Sequence, residues 1–132
     1  MIKFTPDLET KVKQIDDQHK ELFTRINDIV AMGVKSVSKE ETDKTFKLLS
    51  DYVSKHFRDE ELLQFKSGYP KLDWHKEQHK LFINSVNALK AEYDKNGASA
   101  VFTLQLNNSI IEWIVKHIKH VDVELGKFLN QA

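Results

Sequence analysis

Apolar residues recur every three or four positions along most of this chain, in four stretches separated by short polar segments. This spacing gathers the apolar side chains on one face of an amphipathic α-helix. The separating segments contain Gly33, Gly68, Pro70 and Gly97, residues that commonly end or interrupt helices. The pattern predicts helices near residues 17–36, 39–65, 70–94 and 99–129.

Four helices joined by short connections are expected to pack antiparallel, each with its apolar face toward a common core. We therefore predict an all-α, up-down-up-down four-helix bundle, preceded by an extended N-terminal arm that ends near Pro6. A length of 132 residues suits one domain over 1–132. The predicted core faces contain Leu22, Ile26, Ile29 and Val30; Phe46, Leu49 and Val53; Phe82, Ile83, Val86 and Leu89; and Ile110, Ile114, Ile118, Val121, Leu125 and Phe128.

Charge and composition exclude several classes of function. Lysine plus arginine equals aspartate plus glutamate, at 20 each, so no basic field attracts nucleic acid. Apolar runs are too short to cross a bilayer, and the N-terminus lacks an apolar signal core, so we expect no membrane contact and a cytoplasmic location. The absence of cysteine excludes disulfides, thiolate zinc sites and iron–sulfur clusters, so any metal must be held by nitrogen and oxygen.

The segment "HFRDEE" contains a histidine and an acid at helical spacing. His56 and Glu60 are four residues apart, which places them on the same side of a helix. His75 and His79, in "HKEQH", have the same spacing. Glu61 is rotated away from His56 by about 140°, at 100° per residue, so we expect it to be a surface acid.

The fourth predicted helix offers several histidine–acid pairs. Relative to its apolar face, His117 lies about 70° to one side and Asp122 about 70° to the other, so both can turn inward. His120 lies about 130° away and is expected to face water. In the first helix, His19 precedes the apolar Leu22 by one turn.

A single histidine on an apolar face is usually a hydrogen-bonded core residue, and an isolated HxxxH pair often binds nothing or a surface zinc ion. The combination is more informative, because every predicted helix contributes an inward histidine. Burying five imidazoles and two carboxylates without a metal would be costly. The sequence therefore predicts a metal site. "HKEQH" does not match the HExxH motif, and the chain has neither a glycine-rich phosphate loop nor a GxSxG turn.

Together these residues resemble the signature of the hemerythrin family. The resemblance runs through all four helices and includes the segment "LETKVKQIDDQH" before the first. It implies two non-haem irons bridged by two carboxylates and an oxo or hydroxo group. By this resemblance one iron is bound by His75, His79 and His117, the other by His19 and His56, and the bridging carboxylates are those of Glu60 and Asp122.

The resemblance also implies reversible binding of dioxygen beside the iron with two histidines. Dioxygen is the one partner that the resemblance identifies. The side chains that match the family's oxygen pocket are apolar: Leu22, Phe57, Trp113, Ile114 and Ile118. Their alternative interpretation is ordinary bundle core. We expect an oxygen-binding protein rather than an enzyme, with a di-iron oxidase or peroxidase, a nitric-oxide or oxygen detoxifying enzyme, and an oxygen or redox sensor as alternatives.

Three positions depart from the pattern usual in bacterial members of the family. Phe4 stands where a tryptophan is common, Lys11 where a glycine is common, and Gln64 where a methionine is frequent. We expect all three to lie outside the set of metal ligands.

Overall fold

The predicted all-α bundle is confirmed in the computed structural model, which describes residues 1–35 and 37–131. Within these residues the chain forms four long helices and no strand. Helix α4 is one continuous helical stretch over 100–130 whose backbone alternates between α and π geometry. The first three helices are α1 (Lys13–Met32), α2 (Lys39–Ser67) and α3 (Leu72–Asn96), and α4 consists of Ala100–Gln105, Leu106–Glu112 (π), Trp113–His117, Ile118–Asp122 (π) and Val123–Asn130.

The ends of the helices differ from the predicted ends by a few residues. Helix α1 begins at Lys13 rather than near 17 and ends at Met32, whereas its predicted end at residue 36 lies outside the described residues. Helices α2 and α3 continue to the residues immediately before Gly68 and Gly97, whose positive φ angles of 71° and 66° end them. Glycine adopts this conformation without steric cost, so each helix continues up to its glycine.

Serine side chains begin two of the helices. The Ser38 hydroxyl accepts a hydrogen bond from the Glu41 backbone N–H at 3.0 Å, and the Ser99 hydroxyl accepts one from Phe102 at the same distance. Each bond satisfies a backbone donor that the first turn leaves without a partner within the helix. The caps fix where α2 and α4 start.

The N-terminal arm does not end near Pro6 but continues to Val12, with a single 3-10 turn at Pro6–Leu8. The Asp16 carboxylate accepts hydrogen bonds from the Thr10 N–H at 2.8 Å and the Lys11 N–H at 3.2 Å. Lys11 has a φ of 66°, a left-handed conformation that favours glycine.

The core consists of two apolar clusters with a polar layer between them. The larger cluster fills most of the bundle, and Leu8 of the arm packs into it. The smaller cluster, formed by Ile15, Tyr69 and Leu125, lies toward the end where α2 turns into α3. His19 of α1 lies between Ile15 and Leu22, and Asp122 of α4 lies between Ile118 and Leu125, so each stands between positions of the two clusters. In the part of the chain that the structure describes, no helix is long and apolar enough to cross a membrane.

Gly126 is predicted to be essential for the packing of the arm. A Cβ atom at this position would overlap the Thr10 carbonyl oxygen and lie 2.9 Å from the carbonyl carbon. Gly126→Ala must therefore displace backbone, and we expect it to lower the free energy of unfolding by about 1–3 kcal/mol. Urea denaturation of the metal-free protein measures this change.

Gly33→Ala is the control for this prediction. Gly33 has a φ of −73°, and a Cβ there would come no closer than 3.2 Å to another atom. Its effect should be clearly smaller, so equal losses in the two variants would contradict the account of the arm.

Candidate metal centre

The polar layer consists of the seven side chains that the sequence singled out. None is more than 5% exposed, although all are ionisable. Each helix contributes at least one of them, so the layer crosses the whole bundle. The seven are His19 from α1, His56 and Glu60 from α2, His75 and His79 from α3, and His117 and Asp122 from α4.

Six of these side chains form two overlapping groups whose ligand atoms lie within 4.8 Å of one another. Both groups contain Glu60 and Asp122, and they differ in their histidines. His79 borders the second group, with its Nε2 3.3 Å from Oε1 of Glu60. Two donor groups that share two carboxylates have the geometry that a pair of bridged cations requires. The first group is completed by His19 and His56, the second by His75 and His117.

The Asp122 carboxylate contacts histidines from three helices. Its Oδ2 lies 3.1 Å from Nε2 of His19, and its Oδ1 lies 3.2 Å from Nε2 of His117 and 3.5 Å from Nε2 of His75. Burial opposes ionisation, but the imidazoles of His117 and His19 hold the pKa of Asp122 well below its usual range. Asp122 is therefore a carboxylate around which donors from three helices converge.

The donor atoms of the layer fit a cation. Within the described residues, several buried atoms in the layer have no hydrogen-bond partner, which is unusual for polar atoms in a protein interior. A bound cation would satisfy them. Imidazole nitrogens with carboxylate oxygens suit iron and zinc among the common metals. The atoms concerned are Nε2 of His19, His75, His79 and His117, both carboxylate oxygens of Glu60, and Oδ1 of Asp122.

A π turn brings His117 and Asp122 together. Regular α geometry would place these residues, five apart, on opposite sides of the apolar face. The segment Ile118–Asp122 is instead π-helical, and the Val123 N–H donates to the carbonyl of Ile118, five residues earlier. Residues five apart then lie one turn apart. The π backbone therefore brings the two side chains together, whereas the prediction from the sequence assumed α geometry throughout this helix.

The expectation that Glu61 is a surface acid is wrong. Its Oε2 accepts a hydrogen bond from Nδ1 of His79 at 2.7 Å, and its side chain is only 23% exposed. Rotation away from His56 carries Glu61 toward α3, where His79 lies, rather than into water. His120 and Glu124, by contrast, are exposed, as their positions on α4 predict.

Two glutamines also contact the outer nitrogens of the rings, and the sequence analysis assigned neither of them this role. Gln18 places its Oε1 2.7 Å from Nδ1 of His56, and its Nε2 donates to Asp59 at 2.9 Å. The amide of Gln64 contacts Nδ1 of His75 in the interior. These contacts hold the rings with Nε2 toward the centre. Both contacts connect residues on different helices, so no spacing within one helix reveals them.

The five predicted oxygen-pocket residues lie in or against the core. Phe57 stacks on His79 with ring centres 3.8 Å apart and also lies 5.6 Å from His56. Trp113 is partly buried and stacks on His117 at 4.6 Å. The two aromatic rings therefore contact histidines of the layer directly. The aliphatic members Leu22, Ile114 and Ile118 are buried in the larger apolar cluster.

Burial and charge act in opposite directions on the histidines. Burial lowers the pKa of His56 to about 4 and also lowers that of His75. Burial alone would lower the pKa of His79 too, but the Glu60 and Glu61 carboxylates raise it to about 9. In the metal-free protein at neutral pH, the His79 imidazolium therefore offsets part of the buried negative charge.

Comparison with known proteins gives a consistent result. The family model described as the Hemerythrin HHE cation binding domain matches residues 10–129. The chain is 31% identical to a myohemerythrin of Theromyzon tessulatum over 114 residues, which covers 86% of this chain and 82% of that protein. It is 27% identical to a bacteriohemerythrin of Clostridium acetobutylicum, covering 94% of this chain and 98% of that protein. A crystal structure of wild-type hemerythrin superposes with a TM-score of 0.81 at 28% identity, covering 98% and 97% of the two chains.

The depressed pKa of His56 predicts that the metal-free protein loses stability in acid. The folded chain resists protonating this ring down to about pH 4, whereas the unfolded chain takes up the proton near pH 6.5. Stability is therefore lost as the pH falls from about 6.5 to about 4, by up to about 3 kcal/mol for this group. The measurement is urea denaturation of the wild type and His56→Gln across this pH range.

The wild type should lose its free energy of unfolding relative to His56→Gln as the pH falls. His120→Gln is the control, because it removes an exposed histidine and leaves the buried layer intact. If the wild type and His56→Gln show parallel pH profiles, the burial effect on His56 is contradicted.

Gln64→Leu is predicted to destabilise the metal-free protein. The substitution leaves Nδ1 of the buried His75 without its partner, which costs about 1–3 kcal/mol. Gln105→Leu is the matched control, because Oε1 of Gln105 has no hydrogen-bond partner within the described residues. Thermal and urea denaturation should show a loss for Gln64→Leu and little change for Gln105→Leu, and similar values would refute the role of Gln64.

Proposed function

This chain belongs to the hemerythrin family, and we propose that it binds dioxygen reversibly at a centre of two non-haem irons. The observation that carries the proposal is the buried pair of donor groups that share Glu60 and Asp122. A single structural cation would need only one such group. The family relationship favours iron over the other metals that imidazole and carboxylate ligands accept.

We assign the ligands by the layer's own geometry and by the family resemblance. Glu60 and Asp122 would be shared by the two metals, because both belong to each donor group. His19 and His56 complete one position. The other position is completed by His75, His117 and His79, whose Nε2 faces the Glu60 carboxylate. The Nε2 atoms of His19, His75, His79 and His117 are free of other partners among the described residues, which supports their assignment.

Counting ligands leaves room for one small molecule. Two octahedral irons would offer about twelve positions, of which five histidines, two shared carboxylates and one shared oxygen would fill about eleven. The remaining position would belong to the metal held by two histidines. An open position distinguishes a reactive metal site from a structural one. When bound, the two irons supply the electrons that reversible oxygen binding requires.

The surrounding residues favour binding over turnover. Phe57, Leu22 and Ile118 are buried and apolar, and such a lining keeps water from the open position. The neighbouring polar side chains Gln18 and Glu61 contact the outer nitrogens of histidines instead of facing the centre. We therefore assign no further acid or base in the described part of the chain to proton transfer. This supports an oxygen-binding protein over an oxidase.

Metal analysis tests the ligand assignment. The wild type should hold two irons per chain, and His56→Ala and Glu60→Ala should each lower this number because both side chains face the centre. His120→Ala is the control, since this exposed histidine of α4 should leave the number at two. Full iron content in His56→Ala or Glu60→Ala would refute the assignment, and tight zinc binding without an oxygen response would favour a plain metal-binding bundle.

Absorption spectroscopy tests oxygen binding itself. Exposure of the reduced, iron-loaded protein to oxygen should produce a long-lived visible spectrum that disappears under vacuum. Stopped-flow measurements with a reductant separate the carrier from an enzyme. Rapid and repeated consumption of oxygen would contradict reversible binding and indicate an oxidase instead.

A further inference from the structure

Three consecutive acids on α2 all connect to the polar layer. Glu60 lies inside it, Glu61 contacts His79, and Asp59 reaches His56 through the amide of Gln18. We propose that Glu61 and Asp59 are positioning residues that make the two metal positions unequal. Glu61 acts on its histidine with a full charge, whereas Asp59 acts on the other through a neutral amide. This inference rests on the proposed di-iron centre.

The Glu61 contact is direct and charged. Oε2 of Glu61 lies 2.7 Å from Nδ1 of His79, whose Nε2 faces the centre 3.3 Å from Glu60. Glu61 also lines a surface groove with Arg58, Lys76 and Lys80. His79 is further fixed by Phe57, which stacks on it with an angle of 1° between the ring planes. The ring is therefore held by a carboxylate on one edge and an aromatic ring on one face.

The contact on the other side is indirect. Nδ1 of His56 meets the neutral carbonyl oxygen of Gln18 at 2.7 Å, and the Gln18 amide donates to Asp59 at 2.9 Å. The same Asp59 oxygen accepts a hydrogen bond from Lys55 at 3.1 Å. His56 therefore contacts its partner at the same distance as His79, but that partner is a neutral amide oxygen instead of a carboxylate.

This difference in charge changes the donor strength of the two rings. A hydrogen-bond acceptor on Nδ1 fixes the ring's tautomer and makes Nε2 a stronger metal ligand. A charged acceptor makes a stronger hydrogen bond than a neutral one. His79 should therefore favour the more highly charged metal ion, so the position with three histidines should stabilise ferric ion more than the position with two.

Zinc binding to the metal-free protein tests the positioning role without iron or oxygen. Competition with a chelator measures the affinity for Zn²⁺. Glu61→Ala should weaken the affinity about 10–100-fold, as is usual when the partner of a metal-bound histidine is removed. Glu61→Gln, which retains an acceptor but not the charge, should weaken it less, and Asp59→Asn should have a smaller effect than Glu61→Gln.

Glu77→Gln is the matched control for charge. Glu77 is an exposed acid that pairs with Lys80, a cation of the same groove, and it has no ion pair with a histidine among the described residues. It should bind zinc like the wild type. Glu61→Gln preserves side-chain size and leaves an oxygen acceptor opposite Nδ1 of His79, so its melting temperature in the metal-free state measures separately what the lost charge costs the fold.

Two readouts distinguish positioning from a merely structural role. In the zinc-loaded protein, the ¹⁵N shift of His79 Nδ1 should change in Glu61→Gln and stay constant in Glu77→Gln. In the iron-loaded protein, Glu61→Gln should raise the reduction potential, by about 59 mV for each tenfold greater loss of ferric than of ferrous affinity. Both changes follow from the lost charge beside His79.

The outcomes separate this inference from the proposed function. If the wild type binds two irons and oxygen but Glu61→Gln matches Glu77→Gln in zinc affinity, ¹⁵N shift and potential, the positioning role is overturned and the oxygen-binding centre stands. A wild type that binds neither zinc nor iron would overturn both.

Discussion

Two carboxylates, Glu60 and Asp122, lie at most 1% exposed in the middle of a helical bundle. A buried charge without compensation costs several kcal/mol, so the surrounding residues must supply positive charge or hydrogen-bond donors. Five imidazoles do this, at least one from each helix, and they converge on the carboxylates from all sides. Much of the architecture follows from this requirement, because a layer that draws on four helices fixes how the helices align. The apolar clusters on either side then keep water away from it.

The regular parts of the layer could be predicted from spacing alone. Helices α2 and α3 keep α geometry through their histidines, so residues four apart, such as His75 and His79, lie on one side as expected. The exposure of His120 follows from the same arithmetic. Asp122 also faces inward as predicted, but through a π turn that rotation by 100° per residue does not describe. The sequence indicates this turn only indirectly, because His117 and Asp122 must both face inward although they are five residues apart.

The contacts around the layer could not be predicted in this way. Gln18 and His56 are 38 residues apart, and Glu61 and His79 are 18 apart. Such pairs depend on how neighbouring helices are rotated against each other, which periodicity within one helix does not determine. The side chain of a polar residue next to a predicted ligand can therefore point into water or toward the neighbouring helix. The Glu61 side chain points toward α3, where it contacts His79 beside the candidate metal centre.

The π turn at Ile118–Asp122 also links the two regions that flank it. A turn closed over five residues contains one residue more than the helix around it needs. If that residue were removed, the turn would return to α geometry, and the residues after it would keep their orientation, because an α turn covers the same rotation with one residue fewer. Asp122 would then stand four residues after His117 and stay in the polar layer, and Leu125 would stay in the smaller cluster. A single deletion between His117 and Asp122 is therefore tolerated more readily than a deletion in the regular α-helical parts of the bundle, where every later side chain would rotate by about 100°.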